Sequence, residues 1–77
     1  MQYRIHLPEA PASDGDLCGD FKSVGTADTW ARKWLAENAA TDRYRLVRDD
    51  GGFAATYIRA VTGQWYILVD EGYTLAD

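Results

Sequence analysis

The sequence has little cysteine, little proline and no long hydrophobic run. Its one cysteine, Cys18, excludes an internal disulfide and is typical of a reducing compartment. The longest uninterrupted apolar run is Trp65–Val69, whereas a helix that spans a bilayer needs roughly 20 such residues. Met1–Leu7 carries Arg4 and His6 among its apolar residues and so lacks the core of a signal peptide. We therefore expect a cytoplasmic protein and no membrane partner.

Basic residues are also few, because eight lysines and arginines face twelve acids, which gives a net charge of −4. This balance disfavours a general nucleic-acid-binding protein, which usually carries a basic surplus. The acids fall in predicted loops or at chain and strand ends, and the arginines fall inside predicted strands. The acids are Asp14, Asp16, Asp20, Asp49, Asp50, Asp70, Glu71 and Asp77, and the strand arginines are Arg4, Arg43, Arg45 and Arg59. The simplest interpretation of both sets is a solvated surface.

Apolar and aromatic residues are plentiful, at 47% and 13% of the 77 positions, which predicts one compact domain over residues 1–77. An amphipathic helix is predicted over Thr26–Ala39, with Thr26 as the N-cap because its hydroxyl can accept from a free amide of the first turn. Two tryptophans on its apolar face would bury about 150–250 Å² each. That face comprises Ala27, Trp30, Ala31, Trp34 and Leu35, and the opposite face comprises Asp28, Arg32, Lys33 and Glu37.

Five further stretches are predicted as strands, in the order ββαβββ. They are Gln2–Leu7, Asp20–Val24, Arg43–Arg48, Phe53–Val61 and Trp65–Glu71. Turn signals at residues 49–52 and 62–63 join the last three into an antiparallel meander, because glycine supplies the positive φ that hairpins need. The first strand either pairs with the second as a hairpin or lies beside the meander. The expected fold is α+β, a single helix packed on a mostly antiparallel sheet of four or five strands.

The last two predicted strands carry large apolar groups on both alternating sets. In the last strand, for example, Trp65, Ile67 and Val69 oppose Tyr66 and Leu68. A single helix shields only one face of a sheet. We therefore expect one set to remain partly exposed as a candidate contact surface.

No pattern of catalytic or metal-binding residues stands out. The only histidine, His6, occupies an outward strand position, and Cys18 is expected in a loop between residues 8 and 19. Nucleophilic catalysis needs a nucleophile, a base and an orienting group that converge in space. Asp14, Asp16 and Asp20 share one predicted loop but lack the calcium-loop spacing and its final Glu. We expect no enzyme activity, no metal and no cofactor.

Three binding interpretations remain open. In the first, acidic loops and exposed aromatic residues form a docking face for a protein, in which aspartates imitate the charge of a phosphate backbone. The residues expected to bind this partner are Asp14, Asp16, Asp20, Asp49, Asp50, Tyr57, Tyr66, Asp70 and Glu71. In the second, the strand arginines and Tyr57 bind single-stranded nucleic acid by phosphate contacts and base stacking. In the third, a second copy of the chain covers the exposed sheet face as a homo-oligomer, which would suit an accessory protein of a phage or bacterium.

The layout also resembles that of some small anti-CRISPR proteins of phages and mobile elements. The likeness rests on two strands, a helix with a Ser/Thr cap, and a meander ending in Gly-Gln-Trp-Tyr-Ile-Leu-Val-Asp, and it extends from Gln2 to Glu71. These proteins share no diagnostic motif, so the resemblance carries over no functional residue. It implies a non-enzymatic inhibitor that binds an RNA-guided Cas complex and blocks its nucleic-acid-binding surface or its nuclease recruitment.

Overall fold

A computed structural model of the chain describes residues 1–8 and 17–73. Two strands precede one helix and three strands follow it, which is the predicted ββαβββ order. The strands are β1 (Gln2–His6), β2 (Leu17–Asp20), β3 (Arg43–Arg48), β4 (Ala54–Arg59) and β5 (Trp65–Val69), and the helix α1 spans Val24–Asn38. The α+β class expected from the sequence is therefore confirmed.

The five strands form one antiparallel sheet in the order β2-β1-β3-β4-β5. The meander of the last three strands is confirmed. Both placements considered for the first strand occur together, because Ile5 lies opposite Leu17 of β2 and opposite Leu46 of β3. β2 and β5 are consequently the two edges of the sheet.

Two glycine turns close the meander where the sequence predicts them. Gly51 has a φ of 80° between β3 and β4, and Gly63 has a φ of 90° between β4 and β5. In the first turn the Asp50 carboxylate accepts a hydrogen bond from the Gly52 N–H at 2.8 Å. Residues with a Cβ rarely adopt positive φ, so these glycines fix where the chain reverses.

The helix begins two residues earlier than predicted. Ser23, and not Thr26, is the N-cap, since its backbone is extended and its Oγ accepts from the Thr26 N–H at 3.2 Å. Gly25 lies in the first helical turn. The prediction of Thr26 as the cap is wrong because Ser23 offers the same hydroxyl one turn earlier.

The second strand lies earlier than predicted, at Leu17–Asp20 rather than Asp20–Val24. The sequence Leu-Cys-Gly-Asp hides this strand because one of its two helix-facing positions is the glycine Gly19. A Cβ at Gly19 would lie 2.5 Å from Cε2 of Phe21 and 3.3 Å from Cζ2 of Trp30. The missing side chain therefore makes room for two aromatic rings that pack over the edge of the sheet.

The hydrophobic core lies between α1 and one face of the sheet. Its buried members are Tyr3, Ile5, Ala27, Ala31, Leu35, Tyr44, Leu46, Phe53, Ala55, Tyr57 and Trp65. Leu35 is a confirmed core residue, and the two other buried helix residues are alanines. The buried side of α1 is therefore made of two small side chains and one leucine.

Trp30 and Trp34 were expected at the centre of the core, but they are only half-buried. They lie on the flank of the helix, where the ring centroids of Trp30 and Phe21 are 4.8 Å apart and those of Trp34 and Tyr44, in a T-shaped contact, are 5.7 Å apart. The helix residues buried against the sheet are Ala27, Ala31 and Leu35. The tryptophans therefore border the core instead of filling it.

Asp28 and Arg32 also differ from their expected position on the solvent side of the helix. The Tyr57 hydroxyl donates to Asp28 Oδ1, which also accepts from Arg32 Nε at 2.9 Å. Arg32 Nη1 donates to the Trp65 carbonyl at 3.1 Å. The charged border of α1 is therefore bound to polar groups of β4 and β5.

Three strands end before the predicted residue, because their register pairs end at His6, Arg59 and Val69. Leu7 lies beyond β1 and is 42% exposed, and Val61 lies beyond β4 and is fully exposed. Asp70 and Glu71 follow β5 as the chain enters a turn, in which the Tyr73 N–H donates to the Asp70 carbonyl at 3.1 Å.

Candidate protein-binding surface

One face of the sheet is not covered by α1, and we call it the free face. Its members are Arg4, His6, Cys18, Arg43, Arg45, Val47, Thr56, Ile58, Tyr66 and Leu68, which alternate with the buried residues of their strands. Tyr66 is 50% exposed and lies opposite half-buried Ile58, and Leu68 is 58% exposed and lies opposite Thr56. The expectation that one apolar set remains partly exposed is therefore confirmed.

Tyr57 does not belong to this surface. It points toward α1 and its side chain is fully buried, with its hydroxyl bound to Asp28. Burial and this hydrogen bond to a carboxylate raise the pKa of Tyr57 well above the usual phenol value. The prediction that Tyr57 contacts a partner is wrong, because the alternation of β4 turns this residue inward with Ala55.

Arg59 likewise lies on the helix side of the sheet. Its guanidinium stands over the Trp65 ring, 5.3 Å from the centroid, and pairs with Asp42 at 2.7 Å. The proposed set of nucleic-acid-binding residues therefore loses Arg59 and Tyr57. Arg4, Arg43 and Arg45 remain on the free face.

Five of the acids predicted to bind a partner come together at one end of the sheet, which we call the acidic end. It comprises Asp20, Asp49, Asp50, Asp70 and Glu71. Gln2 of β1 lies opposite Asp20, and its carbonyl accepts from the Asp49 N–H at 2.9 Å. The Asp70 N–H donates to the Ala54 carbonyl at 3.0 Å, which places the end of β5 beside the start of β4. Asp14 and Asp16 lie outside the described residues, in the segment that joins β1 to β2.

Most carboxylates of the acidic end are bound to arginines. Arg45 holds Asp70 through two hydrogen bonds of 2.9 Å, and Arg4 holds Asp49 at 3.1 and 3.2 Å. Arg48 pairs with Asp50 at 2.6 Å, and the N-terminal amine pairs with Asp20 at 2.6 Å. These hydrogen bonds lower the pKa of Asp49, Asp50 and Asp70 below the ordinary carboxyl value.

In each arginine pair the acid is the outer member. The arginine side chains are 17–24% exposed, and the aspartates bound to them are 37–53% exposed. The guanidinium groups therefore support the carboxylates from within the sheet surface. Such a carboxylate is fixed in position while one side of it remains open to a second donor.

The described part of the chain is not acidic despite these carboxylates, because its bases match its acids in number. All eight bases lie within the described residues, and so do eight of the twelve acids. The four other acids, Glu9, Asp14, Asp16 and Asp77, lie outside them. The surplus of negative charge therefore belongs to the sequence beyond the described sheet and helix.

His6 and Cys18 are neighbours on the free face, and the expectation of a loop position for Cys18 is wrong. Cys18 lies in β2 opposite Arg4, and His6 is the next β1 residue on that face. His6 Nδ1 lies 2.8 Å from the Leu7 carbonyl oxygen. Because Gly19 makes β2 hard to recognise in the sequence, no sequence pattern predicted that His6 and Cys18 lie side by side.

A groove that no sequence pattern indicated lies on the flank of the helix. It has a volume of about 530 Å³ and is lined by Phe21, Gly25, Thr26, Thr29, Trp30 and Lys33. It exists because Trp30 stands at the border of the core with its ring on Phe21. The amphipathic pattern alone places Trp30 in the core, so the groove follows only from the packing.

Among residues 1–8 and 17–73, no three metal-ligating side chains are grouped closely enough to hold an ion. The helix found in these residues lacks the length and apolar character needed to cross a membrane. Comparison of the chain with protein-family models, with curated proteins and with solved structures finds no match.

Proposed function

We propose that this chain is a non-enzymatic protein-binding domain that inhibits a larger assembly. It docks with the free face and the adjacent acidic end on a basic surface of its partner. The observation that carries the proposal is the exposure of Tyr66 and Leu68 on a sheet face beside arginine-supported carboxylates.

The apolar part of this surface supplies the contact area. A half-exposed tyrosine gives a large and rigid contact that loses little conformational entropy on binding, and such residues dominate binding energy at interfaces. Tyr66, Leu68 and Ile58 are adjacent on the free face. A partner that covers them removes apolar surface from water, which favours association.

The carboxylates supply orientation. Asp70 and Asp49 are held by Arg45 and Arg4, so they lose little freedom when a lysine or arginine of the partner approaches. Glu71 is exposed at the same end of the sheet. Charges at the rim of an interface steer association and set its salt dependence more than its final affinity.

The layout resemblance indicates the class of partner. Complexes that hold nucleic acid do so with basic channels, which an acidic protein can occupy. We therefore propose an RNA-guided Cas complex, with this chain blocking its nucleic-acid-binding surface or its nuclease recruitment. The expectation that the chain itself has no catalytic activity and no cofactor forms part of this proposal.

The test adds the purified chain to DNA-targeting Cas complexes of several types and measures their binding to a labelled target duplex at low and high salt. We expect loss of duplex binding by one type, weaker at high salt. Tyr66→Ala should weaken this inhibition by about tenfold, which corresponds to about 1.4 kcal/mol. Val61→Ala, at an exposed apolar residue in the β4–β5 turn, is the matched control and should inhibit as the parent does.

Two charge-reversal variants, one at the acidic end and one on the helix, test the role of the acidic end. Glu71→Lys should slow association and flatten its salt dependence, whereas Glu37→Lys, an identical change on the exposed side of α1, should not. The proposal of a Cas partner is refuted if no complex loses duplex binding. If the chain instead binds labelled single-stranded RNA and loses it on Arg43→Glu, the nucleic-acid interpretation replaces the protein-binding one.

A further inference from the structure

Within residues 1–8 and 17–73 no strand pairs with the outer side of β5, so β5 is an edge strand of the described sheet. The Asp70 N–H donates to the Ala54 carbonyl and the Ala60 N–H donates to the Gln64 carbonyl. Backbone groups in an antiparallel pair point alternately toward and away from the neighbouring strand. Tyr66 and Leu68 therefore bind β4 through their backbones, and the N–H and C=O groups of Ile67 and Val69 point away from the sheet.

This edge lacks the features with which proteins usually prevent strands from pairing. Natural edge strands are short, or carry charged residues, prolines or bulges on the edge. β5 reads Trp-Tyr-Ile-Leu-Val, with no charge, no proline and no glycine. Its composition is that of a strand paired on both sides.

The opposite edge of the sheet, β2, differs from β5 in length and composition. β2 has four residues, contains a glycine, and ends at Asp20, whose carboxylate binds the N-terminal amine at 2.6 Å. By the same alternation its outward backbone groups belong to Cys18 and Asp20, since the Phe21 N–H donates to the Met1 carbonyl. A head-to-tail array would need this second edge, whereas a closed dimer needs β5 alone.

We propose that β5 pairs antiparallel with β5 of a second copy of this chain. The two-fold axis passes at Leu68, so that Ile67 of each copy lies opposite Val69 of the other. This register forms four backbone hydrogen bonds and uses every outward N–H and C=O group of Ile67 and Val69 in both copies. The two five-stranded sheets become one continuous sheet.

Contacts within the chain favour this register over the one in which the two-fold axis passes at Ile67. An axis at Ile67 would pair Trp65 with Val69 and would need the Trp65 carbonyl, which already accepts from Arg32 Nη1 at 3.1 Å. With the axis at Leu68, the two Leu68 side chains meet directly on the free face. Tyr66 then lies opposite Asp70 of the second copy, and no like charges oppose each other.

The described chain after β5, residues 70–73, leaves the outer side of β5 uncovered. After Asp70 it turns, and the Tyr73 hydroxyl donates to the Gly51 carbonyl at 2.9 Å. The Tyr73 and Phe53 rings form a T-shaped contact with centroids 6.1 Å apart. Residues 70–73 therefore run toward the β3–β4 turn and not along the outer side of β5.

The proposed dimer does not depend on the proposed function. It would, however, join the free faces of two copies into one wider surface. A second copy bound at the edge leaves that face uncovered and places the Tyr66 and Leu68 side chains of both copies side by side. It thus differs from an oligomer in which one sheet face covers another.

Sedimentation equilibrium of the whole chain over a range of concentrations tests the dimer. We expect the mass to rise toward twice that of the monomer. Leu68→Lys and Leu68→Glu should each stay monomeric, because like charges would stand directly opposite each other. An equimolar mixture of the two should dimerise again. Val61→Lys, on a fully exposed residue outside β5, should dimerise as the parent does.

Disulfide trapping tests the register. In a Cys18→Ser background, Leu68→Cys should form a covalent dimer on mild oxidation, because Cβ atoms of a directly opposed pair lie about 5 Å apart. Tyr66→Cys should not, since the axis at Leu68 separates its two copies by four positions along the strands, about 13 Å. A monomer at every concentration, no rescue in the charge mixture, or equal cross-linking of Leu68→Cys and Tyr66→Cys would each overturn the proposal.

Discussion

The hydrogen bond between Tyr57 and Asp28 offers the sharpest test of how the helix is fixed on the sheet. The hydroxyl lies at the end of a fully buried side chain of β4 and donates to a carboxylate of α1 that also binds Arg32. Arg32 in turn donates to the Trp65 carbonyl of β5. Tyr57→Phe removes one oxygen atom and leaves the ring in place.

A hydrogen bond to a charged group contributes about 1.5–3 kcal/mol to stability. The Asp28 side chain is 20% exposed and keeps Arg32, so water can replace part of the lost interaction. We therefore expect Tyr57→Phe to lower the free energy of unfolding by about 2 kcal/mol. In a domain of this size each kcal/mol shifts the Tm by about 4–8 °C.

Urea denaturation of Tyr57→Phe is compared with that of Tyr66→Phe, an identical change at a half-exposed residue of the free face. Tyr66→Phe should cost almost nothing, because water replaces its partner. A double-mutant cycle with Asp28→Asn should give a coupling energy of about 1 kcal/mol or more. Equal stability of the two phenylalanine variants, or zero coupling to Asp28, would refute this account of the helix–sheet contact.

Three more predictions concern the core, the acidic end and a turn. Leu35→Ala should cost about 2–5 kcal/mol in denaturant unfolding, and Trp34→Ala should cost less despite its greater size, because Trp34 borders the core. Arg45 lowers the Asp70 pKa, so the stability this adds is complete above about pH 4 and disappears as the pH falls through the lowered value. Asp70→Asn should therefore flatten the pH dependence of acid unfolding. Gly51→Ala should lower the Tm through about 1 kcal/mol of backbone strain at a φ of 80°, since a Cβ there meets open space.

The sequence by itself determined the class of fold and most of its elements. Alternation in β1, β3 and β5, together with the glycine turns at Gly51 and Gly63, is local information that any surrounding structure must respect. The same holds for the amphipathic pattern of α1. These signals also predicted that a sheet face with exposed apolar groups would remain, because one helix cannot cover two faces.

Only the tertiary structure decided which residues occupy that surface. Tyr57 and Tyr66 have the same chemistry, and the side of the sheet on which α1 packs buries one and exposes the other. Pairing of β1 with both β2 and β3 joins Asp49 to Arg4 across 45 residues, and the end of β5 brings Asp70 to Arg45 across 25. The acids therefore became supported pairs instead of free charges. Contacts between residues so distant in the chain depend on strand order and register, which no local pattern specifies.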